Sequence, residues 1–414
     1  MPRVAPFVGL RYDPTVAGPI AQLTAPPYDV ISEPHRDGFH AASPYNVAHL
    51  DLAAGSLDPE HEESRYARAA ELLADWEGSG ALKTDREPGY DVYEISWTGG
   101  AAGFPGRIRG IFAALALEQW GGAIIPHEET MPGPIEDRLA LLRATRTHLS
   151  PIYGTVAGPS AQLGDLLDRT CKTDALVDLV DEEDVRHRLW RIAADEPVDE
   201  WLEPYDLLIA DGHHRYTTAL AYRDERHDVD GPGPWDSILS LIVDAGTQHV
   251  PVLPYHRVQI AGTTPPLDGS SVDLADVLDS VDDAAGRVGV IERGADNTVL
   301  FGVLNLPGAP PVVRTLHQRV LDRAAPGNAL RFTHSAADAE HAVRSGEAVA
   351  AYVLPPTTPE DVLAAIERGD RLPRKSTFFW PKPRTGLVFM PVRGPRNPPA
   401  CPLPIVEDPW RRPP

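Results

Sequence analysis

Cysteine, methionine and positive charge are scarce in this chain, and it has no long apolar run. Two cysteines, Cys171 and Cys401, occur in 414 residues. They lie far apart, in no CxxC or zinc-ligand spacing, which argues against a disulfide scaffold and a thiolate zinc site. No window approaches the ~20 apolar residues that span a bilayer. The opening MPRVAPFVGLRYD has no signal-peptide core, so a cytoplasmic protein without membrane contact is expected. Lysine and arginine total 38 against 60 aspartates and glutamates, a formal net charge of −22. That balance repels nucleic acid; no nucleic-acid partner is expected, and an anionic substrate must enter a locally positive pocket.

What is present is ordinary for a globular protein: 42% hydrophobic and 24% charged residues, in a chain long enough for two or three domains. The stretch densest in chemistry is YDLLIADGHHRY, Tyr205 to Tyr216. Leu207, Leu208, Ile209 and Ala210 form an apolar run too short for a helix, and Asp211-Gly212 is a turn signal, so a buried strand is predicted. Helical composition from His213 to about Glu225 completes a strand, a glycine turn and a helix start. Such a start favours an anion, commonly phosphate, and Gly212 lets the main chain approach it closely. Arg215 suits a bidentate grip, His213 and His214 suit proton exchange near neutral pH, and Asp211 suits metal binding or taking a proton from a hydroxyl. Asp-Gly turns and solvated histidine pairs are common without function, but five consecutive residues of functional type at one turn favour a site.

Before that stretch, the segment Phe7 to Ser32 reads as ordered irregular chain with Arg11, Tyr28 and Asp29 as candidate substrate-binding residues. Asp58 and Pro59 are predicted to open a helix whose buried stripe is Tyr66, Ala69, Ala70, Leu73 and Trp76. Tyr90 to Trp97 and Arg107 to Leu117 predict an antiparallel hairpin. In IIPHEETMPGPIEDRLALLRATRTHLSPIYG, His127 and Glu128 follow an apolar Ile124-Ile125-Pro126, and Ile135, Leu139 and Leu142 mark the buried side of a helix. Asp137, Arg138, Arg143 and Arg146 are its polar positions, the last two spaced to converge on one anion. The acidic segment Gly158 to Glu203 is predicted to face solvent.

After the central stretch, Ser237 to Asp244 and Val250 to Val258 read as strands, and AGTTPPLDGS, from Ala261 to Ser270, as a linker. Thr358, Pro359 and Asp361 start a capped helix that Gly369 ends. LPRKSTFFWPKPRTGLVFMPV reads as a hairpin that could bring Lys375 and Lys382 over the site, or whose lysine stems simply cover apolar surface.

The set APPYDVIS, NVAHL, HEET with EDRL, LSPIYG, ADGHHRYTTAL, LPYHR and KSTFFWPK resembles, in order from Phe7 to about Val392, the bacterial and archaeal family called domain of unknown function 1015. ADGHHRY also resembles the signature loop of the ParB/sulfiredoxin superfamily, which includes ParB proteins that bind nucleotide and DNA, sulfiredoxin, and free-serine kinases. The kinases carry the closest form of the motif. This resemblance implies that Gly212, His213, His214 and Arg215 hold phosphates and that Asp211 lies near the magnesium or the acceptor. His213 stands where sulfiredoxin chemistry needs a cysteine, which removes that branch.

The expected fold is α+β, with mixed sheets and a ParB/sulfiredoxin-like core in a main domain of residues 1–260. A smaller C-terminal α/β lobe over 261–392 and a proline-rich tail over 393–414 follow. The expected function is a nucleotide-dependent phosphotransferase acting on a small hydroxyl metabolite, free serine first, with Mg2+ and ATP, ADP or pyrophosphate. Asp211, His213, His214 and Glu128 are its expected catalytic residues, Asp29 being an alternative base and Asp211 also the metal ligand. Gly212, His213, His214, Arg215 and Arg143 are expected on phosphate, and Arg11, Tyr28, Asp29, His127 and Arg138 on substrate. One alternative is a metal-dependent hydrolase built from His127, Glu128, Asp211, His213, His214 and His256. Neighbouring helix residues diverge by about 100°, however, and no HExxH spacing is present. The other alternative is a non-catalytic ParB-like module, which would need a basic stripe.

Overall fold

A computed structural model describes residues 1–394 except 54–61, 129, 157, 159, 266–268, 272, 295, 325–328 and 371. The helix start predicted at Asp58 and Pro59 and the tail from 395 lie outside the described residues. The chain divides into two compact units, one of residues 1–126, 130–249 and 381–414, the other of residues 127–129 and 250–380. The fold is α+β with several sheets.

In the first unit the described residues form a nine-stranded mixed sheet. Its order is Ile124–Ile125, Leu207–Asp211, Ile152–Val156, Ser237–Asp244, Gly106–Ala116, Gly89–Trp97, Arg186–Ala193 and Val177–Val180, with Val4–Ala5 paired to Gly106–Ala116. The predicted hairpin is the Gly89–Trp97 and Gly106–Ala116 pair. Leu207–Asp211 is buried at every position, as a short apolar run in a covered sheet must be. It runs parallel to Ile124–Ile125 and antiparallel to Ile152–Val156, with a register shift between Ile209 and Asp211. Such irregularities re-aim a side chain where a strand ends, and here that side chain is Asp211. Leu207, Ile209, Ile152 and Tyr216 share one apolar core, each contributing about 2 kcal/mol by burial.

A second core of the same unit gathers the N-terminal chain against the Glu62–Gly78 helix through Leu10, Leu50, Ala69, Leu73 and Trp76. Ala69, Leu73 and Trp76 of that helix's predicted stripe are core, while Tyr66 and Ala70 are partly covered. The Pro132–Thr145 helix differs from expectation, because its buried line is Arg138, Leu141, Leu142 and Thr145 while Ile135 and Leu139 are only partly covered. Arg138 can lie inward because carboxylates wait for it there. The acidic segment divides: residues 181–184 are mostly exposed as expected, while Val177–Val180 and Arg186–Ala193 pair as a hairpin at the edge of the sheet, with His187, Leu189 and Trp190 buried.

In the second unit a six-stranded antiparallel sheet runs Gly269–Ser271, Val299–Asn305, Arg287–Arg293, Ala350–Val353, His256–Gln259 and Leu330–Thr333. Ala350 and Tyr352 join one apolar cluster, Ala351 and Val353 another, the alternation of a sheet covered on both faces. The helix Pro359–Glu367 starts as predicted, with Thr358 accepting from the Asp361 amide at 3.1 Å. The predicted strand Val250 to Val258 is two short ones, Val252–Leu253 and His256–Gln259. The hairpin predicted around the aromatic cluster does not form. Phe378–Phe379 pairs with Val252–Leu253 in this unit, while Met390–Pro391 pairs with Thr147–His148 in the first; proline at 381, 383 and 391 removes the amide donors that a hairpin ladder would need.

Candidate functional site

The strand Leu207–Asp211 ends at Gly212, which has φ 95° and caps the His213–Asp230 helix in the left-handed conformation. A Cβ there would lie 2.8 Å from Ile152 Cγ2 and 3.2 Å from Arg215 Cζ, so both backbone and space require glycine. No side chain caps the helix start, and its first amides and dipole favour an anion. His213 is buried and stacks on Trp120 at 6.4 Å between ring centroids. His214 Nε2 accepts from the Met131 amide at 3.0 Å, which places the ring proton on Nδ1.

Asp211 is 8% exposed and its two oxygens receive two cations: Arg215 on Oδ2 and Lys382 on Oδ1. One carboxylate between two cations leaves this trio with a net positive charge, the local reversal that an acidic chain requires of an anion site. Arg215 also donates to Ser150 Oγ at 2.8 Å and to the Pro151 carbonyl. Thr385 donates to the same Ser150 Oγ at 3.0 Å, so one hydroxyl ties the arginine to the segment that carries Lys382. Arg384, buried in that segment, donates to both Glu182 oxygens at 2.8 and 2.9 Å and to the Thr24 carbonyl at 2.9 Å. The acidic run predicted to face solvent thus supplies Glu182 as an anchor. Lys382 was legible only as a lysine beside aromatics; nothing in the sequence tied it to Asp211.

Beside this turn lie two cavities that share Asp51, Arg138 and Leu141, a small one reaching Ser150 and Arg215 and a larger one of about 270 Å³ reaching Tyr28 and Tyr66. Arg138 donates to Asp51 Oδ1 at 2.6 Å and to Asp137 Oδ2 at 2.7 Å, and its guanidinium lies 4.1 Å over the Tyr28 ring. Burial by itself would lower the Arg138 pKa, but Asp51 and Asp137 outweigh it and the value is raised. Burial pushes Tyr28 up to about 12, with Asp29 adding and Arg138 and Arg215 opposing. Burial also pushes Asp51 up, against the pull of Arg138 and Arg215. Tyr28 and Arg138, predicted separately, therefore meet. Asp51 and Arg65 were missed, and the one available signal was that Asp51 follows NVAHL.

The remaining predicted residues fall elsewhere. Arg11 is bound to Asp85 at 2.8 Å and to Asp91 at 2.8 Å, in a buried ion network. Arg143 pairs with Glu225 on an exposed face, and Arg146 ends its helix in the left-handed conformation. Asp29 is exposed on a short helical turn. In the second unit, Glu128 accepts from the amides of Lys375, Ser376 and Thr377 at 3.0, 3.0 and 3.1 Å and from Thr377 Oγ1 at 3.1 Å. His127 Nε2 lies 2.6 Å from the same hydroxyl. His256 Nδ1 accepts from the Leu354 amide at 3.1 Å. The six residues of the hydrolase reading thus divide between the units. Among the described residues no three His, Cys, Asp or Glu gather as a metal-holding group, and no helix is long and apolar enough to cross a membrane.

No curated protein matches the sequence significantly. Among solved structures, a free serine kinase in complex with AMP is similar at 14% identity and a TM-score of 0.37, covering 66% of this chain and 88% of its own. A conserved hypothetical protein from Pyrococcus furiosus is similar at 15% identity and a TM-score of 0.30, covering 63% of this chain and 90% of its own. C-terminally truncated SbnI from Staphylococcus aureus is similar at 10% identity and a TM-score of 0.35, covering 67% of this chain and 87% of its own. The family model described as protein of unknown function (DUF1015) matches residues 4–266. That is more than half of the chain, and the chain belongs to this family.

Proposed function

We propose that the chain is a nucleotide-dependent phosphotransferase acting on a small hydroxyl metabolite. The observation that carries this reading is the Asp211 carboxylate set between Arg215 and Lys382 at an uncapped, glycine-turned helix start. Phosphoryl transfer asks a protein mainly for positioning and charge neutralisation. Gly212 gives main-chain access, Arg215 and Lys382 give two positive charges, and Ser150 fixes the arginine's direction. Both cations already have an anionic partner, so a bound phosphate would exchange with Asp211 for them. Asp211 would then hold magnesium as one carboxylate of a site completed by phosphate oxygens, magnesium's usual habit. The ion supplies neutralisation of the transferred group when bound. Free serine is the first acceptor to assay, because ADGHHRY resembles the loop of free-serine kinases.

The test is binding of ATP, ADP and pyrophosphate with magnesium, read by thermal shift, followed by phosphorus NMR against amino acids and sugars. Nucleotide should raise the melting temperature. Lys382→Met and Arg215→Ala should each weaken binding by about 2 kcal/mol, roughly thirtyfold. Unchanged nucleotide affinity in both variants would refute the phosphate assignment.

A further inference from the structure

The larger cavity of the first unit has an unmet demand. Asp51 is 7% exposed and sits at the wall common to both cavities. Its Oδ1 is taken by Arg138, but its Oδ2 is buried with no hydrogen-bond partner. A buried carboxylate oxygen left without a donor is costly, and folded proteins rarely leave one so unless something else fills the place. The other charged groups around it are already matched. Asp137 accepts from Arg65 at 2.6 Å and Tyr66 at 2.8 Å on one oxygen and from Arg138 at 2.7 Å on the other. Arg36 pairs with Asp37, so each of the three arginines on the cavity wall already has a carboxylate partner.

We propose that this cavity is a ligand site whose polar anchor is Asp51 Oδ2, and that its ligand is a small neutral or cationic organic molecule donating a hydrogen bond from a hydroxyl or an amino group. The volume of about 270 Å³ suits a metabolite near the lower limit of ordinary ligand pockets, and Leu50 and Leu141 give it an apolar floor. The smaller cavity extends from the same Asp51 to Ser150 and Arg215. A ligand held here therefore lies on the path to the phosphate-gripping turn. Calling the ligand the phosphoryl acceptor rests on the phosphotransferase reading; the binding claim does not.

The test uses the full chain and three probes of similar size: ethanolamine, glycerol and glycolate, followed by ligand-observed NMR. Binding of ethanolamine without glycerol identifies an amine donor, and binding of glycerol a hydroxyl donor; either supports the site. Asp51→Asn should weaken the bound probe about tenfold or more. Because that variant also disturbs Arg138, Ala53→Phe is measured beside it: it fills the cavity without touching an ion pair and should abolish probe binding. Both variants should keep the thermal shift given by nucleotide, so loss of the probe with nucleotide retained separates this site from the turn. Preference for glycolate, absence of binding by all three probes, or unchanged probe binding in folded Ala53→Phe would overturn the proposal. If nucleotide fails to bind the wild type while a probe binds, the phosphotransferase reading falls and the cavity stands.

Discussion

Asp211 is a buried carboxylate and Glu128 a partly buried one; each is held by several donors, one in each unit, and they are held in opposite ways. Asp211 is gripped by the ends of two long side chains, Arg215 and Lys382. Glu128 is gripped by three consecutive main-chain amides and one hydroxyl. Side-chain cations swing on flexible stems and can be handed to a competing anion at small conformational cost. Main-chain amides cannot be handed over without reshaping the loop, here one with Lys375 in the left-handed conformation at φ 53°. The Asp211 arrangement is therefore an exchangeable charge, and the Glu128 arrangement a fixed one.

The largest effect that would break this comparison is at the carboxylates themselves. Asp211→Ala strands two buried cations and should destabilise the protein by about 3–5 kcal/mol, whereas Glu128→Gln keeps an acceptor oxygen for the amides and should cost about 1–3 kcal/mol. Urea titration of both variants reads the difference. Pyrophosphate should restore part of the stability lost in Asp211→Ala, by taking the carboxylate's place between the cations, and should do nothing for Glu128→Gln. Glu128→Gln should also leave nucleotide affinity unchanged. Equal costs, or no recovery with pyrophosphate, would show that the Asp211 pair is ordinary structural glue.

The two arrangements were unequally legible in the sequence. Asp211, Gly212 and Arg215 lie within one turn, so strand length, glycine and helix onset were enough to place them together. Lys382 stands 171 residues from Asp211, and long-range pairings such as Met390–Pro391 with Thr147–His148 and Thr385 with Ala25 bring its segment back. Two-residue strands such as these carry no readable periodicity, which is also why the aromatic segment reads in the sequence as a hairpin. Arg138 reads in the sequence as a polar helix position and a substrate-binding candidate, with nothing to mark it as buried, because charge is usually outward. Its burial depends on Asp51 and Asp137, and a pairing across 87 residues leaves no local pattern. The Gly89–Trp97 and Gly106–Ala116 hairpin, the line Ala69, Leu73 and Trp76 and the Thr358 cap are legible because each is set by neighbours in sequence.

A smaller effect compares the units by their buried imidazoles. Burial lowers His148, in the first unit, from 6.5 to about 4, against the bond to the Ser237 carbonyl. His256, in the second, is also lowered to about 4 by burial, Arg257 and His334. Folding holds each ring neutral, so this stability is complete above the unfolded value near 6.5. It is lost as pH falls toward the folded value. By pH 5 each should have cost about 2 kcal/mol. His148→Gln and His256→Gln should each flatten the stability profile between pH 7 and pH 5 by that amount, read from urea midpoints. A profile flattened by only one variant would assign acid sensitivity to a single unit.

The smallest effect sharpens the contrast between a charge pair that is part of a site and one that is not. Arg143 and Glu225 pair on an exposed face, with side chains 53% and 41% exposed, while Arg215 and Asp211 are each 10% exposed. Solvent screening and side-chain entropy reduce an exposed pair to about 0–1 kcal/mol. Arg143→Ala should therefore change the urea midpoint hardly at all and leave nucleotide affinity within about twofold. The sequence had offered Arg143 as a phosphate ligand on helix spacing alone; the structure gives it a carboxylate partner on the surface and gives Arg146 a place beyond the helix end. A tenfold loss of nucleotide affinity in Arg143→Ala would mean that the phosphate chain extends along the Pro132–Thr145 helix, and that the positive end of the site is built from two helices rather than from one turn and Lys382.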